Sequence, residues 1–129
     1  MTLLALSRAA CLQRLADNHL GRVAINVDGV PRVFPVNYAL LGDSIIFRSD
    51  EGTKVAAASR GALVSFEIDD DNPLYHTGWS VVATGNLELV TDEDELQALR
   101  RAAVRPWTHL GRQFLRIRII EVTGRRIDI

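Results

Sequence analysis

Apolar and polar residues alternate along the chain with two different rhythms, and the rhythm separates helix from strand. Cys11, Leu12, Leu15 and Ala16 recur at helical spacing behind Ser7, a residue type that caps helix starts. An amphipathic helix over Arg8 to Asp17 is therefore predicted. From Gly21 the period drops to two, with Val23, Ile25 and Val27 set against Arg22, Ala24 and Asn26. Asp28-Gly29 then predicts a hairpin, because both residues tolerate positive φ. The return strand, Pro31 to Leu40, carries Phe34, Val36 and Tyr38 on one side and Val33, Pro35 and Asn37 on the other, so both faces need cover. A proline removes a ladder donor, which puts Pro35 at an edge, a bulge or a subunit contact.

Gly42-Asp43 turns the chain into a third strand, Ser44 to Ser49, and the alanine-rich run from Thr53 to Ser59 predicts a short helix capped by Thr53. Ala62, Val64, Phe66 and Ile68 alternate in a fourth strand, followed by a polar loop from Asp69 to Gly78. Trp79 to Val90 is the longest alternating run, and Gly85 stands where such a strand would bend around a barrel. Thr91 opens a helix with Asp94 at capping-box spacing and Arg100-Arg101 in its last turn. A connector containing Arg105, Pro106 and Trp107 leads to a last strand, Gln113 to Ile120, and then a tail from Glu121 to Arg126. The sum is one α+β domain over residues 1–129, mainly antiparallel β, with about six strands closed into a barrel and a few flanking helices.

Composition narrows the function classes. The chain has 129 residues, 47% of them hydrophobic and 24% charged, as expected of a single globular core. A net charge of −1 gives no field that would draw it to nucleic acid or an anionic membrane. Cys11 is the only cysteine, which excludes an internal disulfide and a zinc site of paired thiolates. The apolar opening from Met1 to Leu6 is too short to span a bilayer and lacks the features of a signal peptide, so a cytoplasmic location is expected.

Neither a Gly-rich dinucleotide fingerprint, nor a Walker-type phosphate loop, nor Gly-x-Ser-x-Gly is present. His19, His76 and His109 lack metal-ligand spacing, and Asp69-Asp70-Asp71-Asn72 lacks the glycine and glutamate of a calcium loop, so no metal is expected. The informative stretch is Phe47 to Lys54: a strand ending in Arg48-Ser49, a turn through Gly52, and a helix opening with Thr53-Lys54. Amides, a hydroxyl and two cations gathered in this way suit a phosphate. The same residues also suit a capped helix with two surface cations.

Taken in order, Gly21-Arg22-Val23-Ala24, Pro35-Val36-Asn37-Tyr38, Phe47-Arg48-Ser49 with Gly52-Thr53-Lys54, Thr77-Gly78-Trp79-Ser80-Val81-Val82, and Val122-Thr123-Gly124-Arg125-Arg126 resemble the pyridoxamine 5′-phosphate oxidase-like family of FMN-binding split barrels. The resemblance implies a homodimer with FMN in grooves at the subunit interface. It assigns Arg48, Ser49, Thr53 and Lys54 to the phosphate and the backbone of Pro35, Val36, Asn37 and Tyr38 to the flavin ring. It also gives Ser80 a cofactor contact, with Trp79 on the opposite face, and places Trp107 in the segment the partner chain contributes, either as a cover for the ring or as core or interface packing.

Members that oxidise pyridoxamine phosphate are similar to one another in a longer C-terminal region with a further tryptophan and arginines, which this chain does not match. Arg125 and Arg126 either replace part of it or are surface charges, and vitamin-B6 oxidation is not expected. The function implied is an FMN-dependent oxidoreductase that transfers hydride to or from a small organic substrate, with no catalytic side chain assigned. A deazaflavin-coenzyme-dependent reductase, a non-catalytic dimer binding flavin or haem, and a member that has lost its cofactor remain as alternatives.

Overall fold

The computed structural model describes residues 2–50, 52–101 and 112–128. In chain order these form β1 (Thr2–Ala5), α1 (Arg8–Asp17), β2 (Leu20–Val27), β3 (Val30–Leu41), β4 (Ser44–Ser49), α2 (Thr53–Ser59), β5 (Leu63–Asn72), β6 (Thr77–Leu89), α3 (Glu93–Arg101) and β7 (Gln113–Asp128). The sheet order is β1-β7-β4-β3-β2-β5-β6, and β6 pairs again with β7, so the six strands from β2 to β7 close an antiparallel barrel. β1 lies outside the ring, against the end of β7.

The expected hairpins are present. Val27 pairs with Val30 across Asp28 and Gly29, whose φ values of 52° and 81° supply the left-handed turn. Ser7 caps α1 by accepting a 3.1 Å hydrogen bond from the Ala10 amide. β4 pairs with β3 only over Tyr38 to Leu41, so Pro35 sits where β3 has β2 on one side and no strand on the other among the described residues. The stretch preceding Tyr38 is thus an edge among the described residues, one of the three settings that Pro35 allows.

The structure corrects four expectations. The apolar opening is strand β1, held by Leu3 opposite Ile127 and Leu4 opposite Arg126. Asp69 to Gly78 is largely a β-arm, with Asp69 opposite Ser80 and Asn72 opposite Thr77, and only 73–76 forms the loop. The tail from Glu121 to Arg126 continues β7. The cap residues also move: Gly52, at φ 134°, precedes α2 in place of Thr53, and the Asp92 carboxylate accepts from the Glu95 amide at 3.0 Å, so it caps α3 in place of Thr91.

Inside the barrel, Phe47, Phe66, Leu15, Ile25, Leu87 and Leu115 are fully buried, each a side chain worth roughly 1.5–3 kcal/mol on transfer from water. α1 lies over this core, and Cys11 packs so closely on β7 that a Cβ at Gly124 would stand 2.7 Å from its sulfur. A smaller cluster of Ile46, Val90, Leu99 and Phe114 seats α3 on the outside of the ring. There Glu88 accepts from Arg116 at 2.7 Å and Arg118 at 2.6 Å, while Arg116 also reaches Glu95 on α3 at 3.1 Å.

The bend expected at Gly85 is real. The β6–β7 register slips between Thr84 and Gly85: Thr84 faces Glu121 and Gly85 faces Ile119, which leaves Ile120 as the extra residue of a bulge. A Cβ at Gly85 would overlap the Arg118 carbonyl oxygen. Gly85→Ala is therefore expected to destabilise the fold by about 3 kcal/mol or more, measured by chemical denaturation; a loss under about 1 kcal/mol would mean that the bulge does not hold this close approach.

Candidate functional site

Because side chains alternate across a strand, burial sorts the predicted site residues by face. On β3, Val36 and Tyr38 are buried in the barrel, whereas Pro35 is exposed and Asn37 partly so. Val36 is therefore core, not part of an apolar outer surface, and only its backbone is available to a ligand. Tyr38 is likewise anchored inside: its hydroxyl donates to the Leu15 carbonyl at 2.7 Å, and its ring meets Phe66 edge-on at 4.8 Å. Burial pushes its phenol well above the ordinary value, so the proton stays on that hydroxyl.

At the end of β4 the expected corner forms. Arg48 faces Phe114 and Ser49 faces Gln113 across the β4–β7 pairing, with the Arg48 guanidinium 5.0 Å over the Phe114 ring. The Asp50 carboxylate accepts from the Arg112 amide at 3.2 Å, which ties the exit of β4 to the approach of β7. Thr53 and Lys54 open α2, whose first bond runs from the Ala56 amide to the Gly52 carbonyl at 2.9 Å.

Lys54 reaches across to β3. Its ammonium lies 4.5 Å over the Phe34 ring, and burial lowers its pKa because desolvation disfavours the charged form. A cation with part of its hydration replaced by an aromatic face gains more than a fully solvated one from an arriving anion. The corner thus holds Arg48 and Ser49 at the end of β4 and Thr53 and Lys54 at the start of α2, with Lys54 turned to Phe34 of β3 and Arg48 to Phe114 of β7.

Two predicted residues lie elsewhere. Ser80 is separated from β3 by β2 and β5; it faces Asp69 on one side and Arg125 on the other, in a shallow cavity of about 330 Å³ bordered also by Trp79 and Asp70. Trp79 packs against the core with the Arg14 guanidinium 4.6 Å over its ring, on the opposite side of β6 from Ser80. Arg125 and Arg126 lie within β7, opposite Ser80 and Trp79, not beyond a final strand. Trp107 and His109 lie outside the described residues, as does Glu51.

A further polar group went unnoticed in the sequence. Arg22, opposite Pro35 on one side and Glu67 on the other, places Nη1 3.4 Å from a carboxylate oxygen of Glu67 and 3.4 Å from one of Asp69. Polar alternation on β2 and β5 was the available signal, but it does not tell which strands are neighbours.

The profile of the pyridoxamine 5′-phosphate oxidase family matches residues 7–126. The chain belongs to the pyridoxamine 5′-phosphate oxidase-like family. Within this family it is similar to an FAD-binding protein of Mycobacterium smegmatis, with 33% identity, a TM-score of 0.81, and coverage of 97% of this chain and 98% of that one. An FAD-binding protein of Mesorhizobium loti follows at 28% identity and TM-score 0.83, covering 98% and 97% of the two chains. The uncharacterized protein Rv0080 of Mycobacterium tuberculosis is 32% identical over 111 residues, 82% of this chain and 72% of that protein.

The family's barrel makes Tyr38 a structural residue with a measurable role. Tyr38→Phe removes the hydroxyl and leaves the Leu15 carbonyl without this donor, and is expected to cost about 1–1.5 kcal/mol in urea denaturation; an unchanged midpoint would contradict that role.

Proposed function

We propose that the chain is a flavin-binding oxidoreductase that holds FMN at the β4–α2 corner, in a groove completed by a second copy of itself. The observation that carries this reading is Lys54, its ammonium stacked on Phe34 and partly desolvated, on the same corner as Arg48, Ser49 and Thr53. Relatives of the same length that are FAD-binding proteins support a flavin as the ligand class.

The residues present fit such a group. Lys54 and Arg48 supply positive charge, Ser49 and Thr53 supply hydroxyls, and β3 ahead of Tyr38, where among the described residues only β2 pairs with it, offers backbone to the polar edge of a planar ring. Bound FMN would supply a hydride acceptor or donor. The chain's own part is to grip the phosphate, lay the ring along Pro35 to Tyr38 and keep water from it, with Ser80 and Trp107 reaching the ligand only from a suitably placed second protomer.

Exposed apolar residues support the dimer. Val33 is 63% and Val30 52% exposed on β3, and Leu20, at the far end of the β2–β3 hairpin opposite Asn37, is exposed as well. A cytoplasmic setting belongs to the same proposal; among the described residues no helix is long and apolar enough to cross a membrane.

Freshly purified protein is expected to carry a yellow chromophore, released by heat and weighing as FMN by mass spectrometry. A mass for FAD or a deazaflavin would reassign the cofactor, and colourless protein that takes up none of them on titration would overturn the reading. Reduction of the bound flavin by NAD(P)H, with reoxidation by a quinone or nitro compound, is the expected activity; a flavin inert to every donor would make the protein a binding module. Lys54→Ala is expected to weaken FMN binding by about 1.5–3 kcal/mol, roughly 10- to 150-fold, with the fold intact; unchanged affinity would remove Lys54 from the site. Light scattering is expected to give a dimer at micromolar concentration.

A further inference from the structure

Between the β3 edge and Ser80, the outer wall of the barrel carries a continuous run of polar side chains. Arg22 faces Pro35 across the β2–β3 pairing and Glu67 across the β2–β5 pairing; Asp69, two residues further along β5, faces Ser80. β2 and β5 pair only over Arg22 to Ala24 with Ser65 to Glu67, so beyond Glu67 the two strands part. Asp69 stands at that parting, and Arg22 bridges it, with one nitrogen 3.4 Å from each carboxylate.

One guanidinium thus faces two carboxylates on the same side of one strand. The pair carries one more negative charge than its partner neutralises, and the contacts are long. β6 brings only Val82 and Ser80 to face Glu67 and Asp69, with no charge of its own, and the next cation along the row is Arg125 of β7, opposite Ser80. Two carboxylates that each lie 3.4 Å from one guanidinium nitrogen repel each other, and that repulsion favours a proton on one of them against the pull of the shared cation.

We propose that Glu67 and Asp69 hold one proton between them beneath Arg22 and exchange it with the molecule bound on this face of the barrel. The cofactor part of this inference rests on the function proposed above. In the exchange the O–H bond of the protonated carboxyl breaks, its proton passes to a basic atom of the bound molecule, and both carboxylates are left ionised against Arg22. Water restores the proton afterwards, so charge and atoms balance.

The electrostatics of the site agree. Burial first, then hydrogen bonding to Asp69 and its negative charge, raise Glu67 to about 7, against the lowering effect of Arg22. The raised value also sets the sign for stability: the folded state binds the extra proton, so the contribution is complete at acidic pH and is lost as pH rises through about 7.

The test uses the full chain, first without flavin, with ¹³C-labelled glutamate followed by NMR. One glutamate resonance, absent in Glu67→Gln, is expected to titrate near pH 7. Asp69→Asn is expected to move it down, and Arg22→Ala to move it up, each by about one unit. The thermal midpoint of the wild type is expected to fall more steeply than that of Glu67→Gln as pH passes through that range. A Glu67 that titrates as an ordinary carboxylate, or is unmoved by Asp69→Asn, would overturn the shared proton. With flavin bound, the pH profile of its reduction is expected to lose a step in Glu67→Gln while flavin affinity stays within about twofold. A step retained in that variant would overturn the exchange. Failure to bind flavin with the NMR titration intact would instead overturn the cofactor reading and the exchange, leaving the proton pair standing.

Discussion

Everything in this fold depends on β7 hydrogen-bonding on both sides at once. Its first residues pair with β4, nearly its whole length pairs with β6, and its end takes β1 as a further neighbour. A sheet with those pairings has no choice but to close, and closure is what gives an antiparallel ring an enclosed core. The strain of turning so long a strand around the ring is relieved at one place, where Gly85 lets the Arg118 carbonyl approach and Ile120 is left over as a bulge.

Closure also decides what the outside can offer. Because β4 meets β3 over a few residues only, the remainder of β3 pairs with β2 alone among the described residues, and Lys54 at the start of α2 reaches it. Lys54 crosses from that corner to Phe34, so the start of α2 and the β3 backbone meet although they come from separate parts of the sequence. Arg22, on the strand behind, extends the polar face toward β5.

The strands with one wet and one dry face could be read directly, since Val23, Ile25, Phe66, Ile68, Val81 and Ala83 keep strict alternation and are all buried. The strand ends could not. Asp69 to Asn72 is exposed on both sides, so no period marks it as β; its partner on β6 does. In β7 the bulge shifts the phase: Leu115, Ile117 and Ile119 face inward, then Val122 resumes the inward set after an interval of three, so the alternation breaks off where the strand continues. The β4–α2 corner was legible because its residues are nearly contiguous in the chain. The Arg22, Glu67 and Asp69 group was not, since it exists only through a long-range pairing of β2 with β5.

Cys11 shows what such close packing does to chemistry. Its sulfur is fully buried, wedged under α1 against the Gly124 backbone, and burial raises its pKa further from the reactive thiolate. An alkylating reagent can meet it only when the helix lifts from the ring. This lone thiol therefore works as a built-in clock for α1: the rate at which it is labelled counts the openings of that helix, whatever the rest of the barrel is doing.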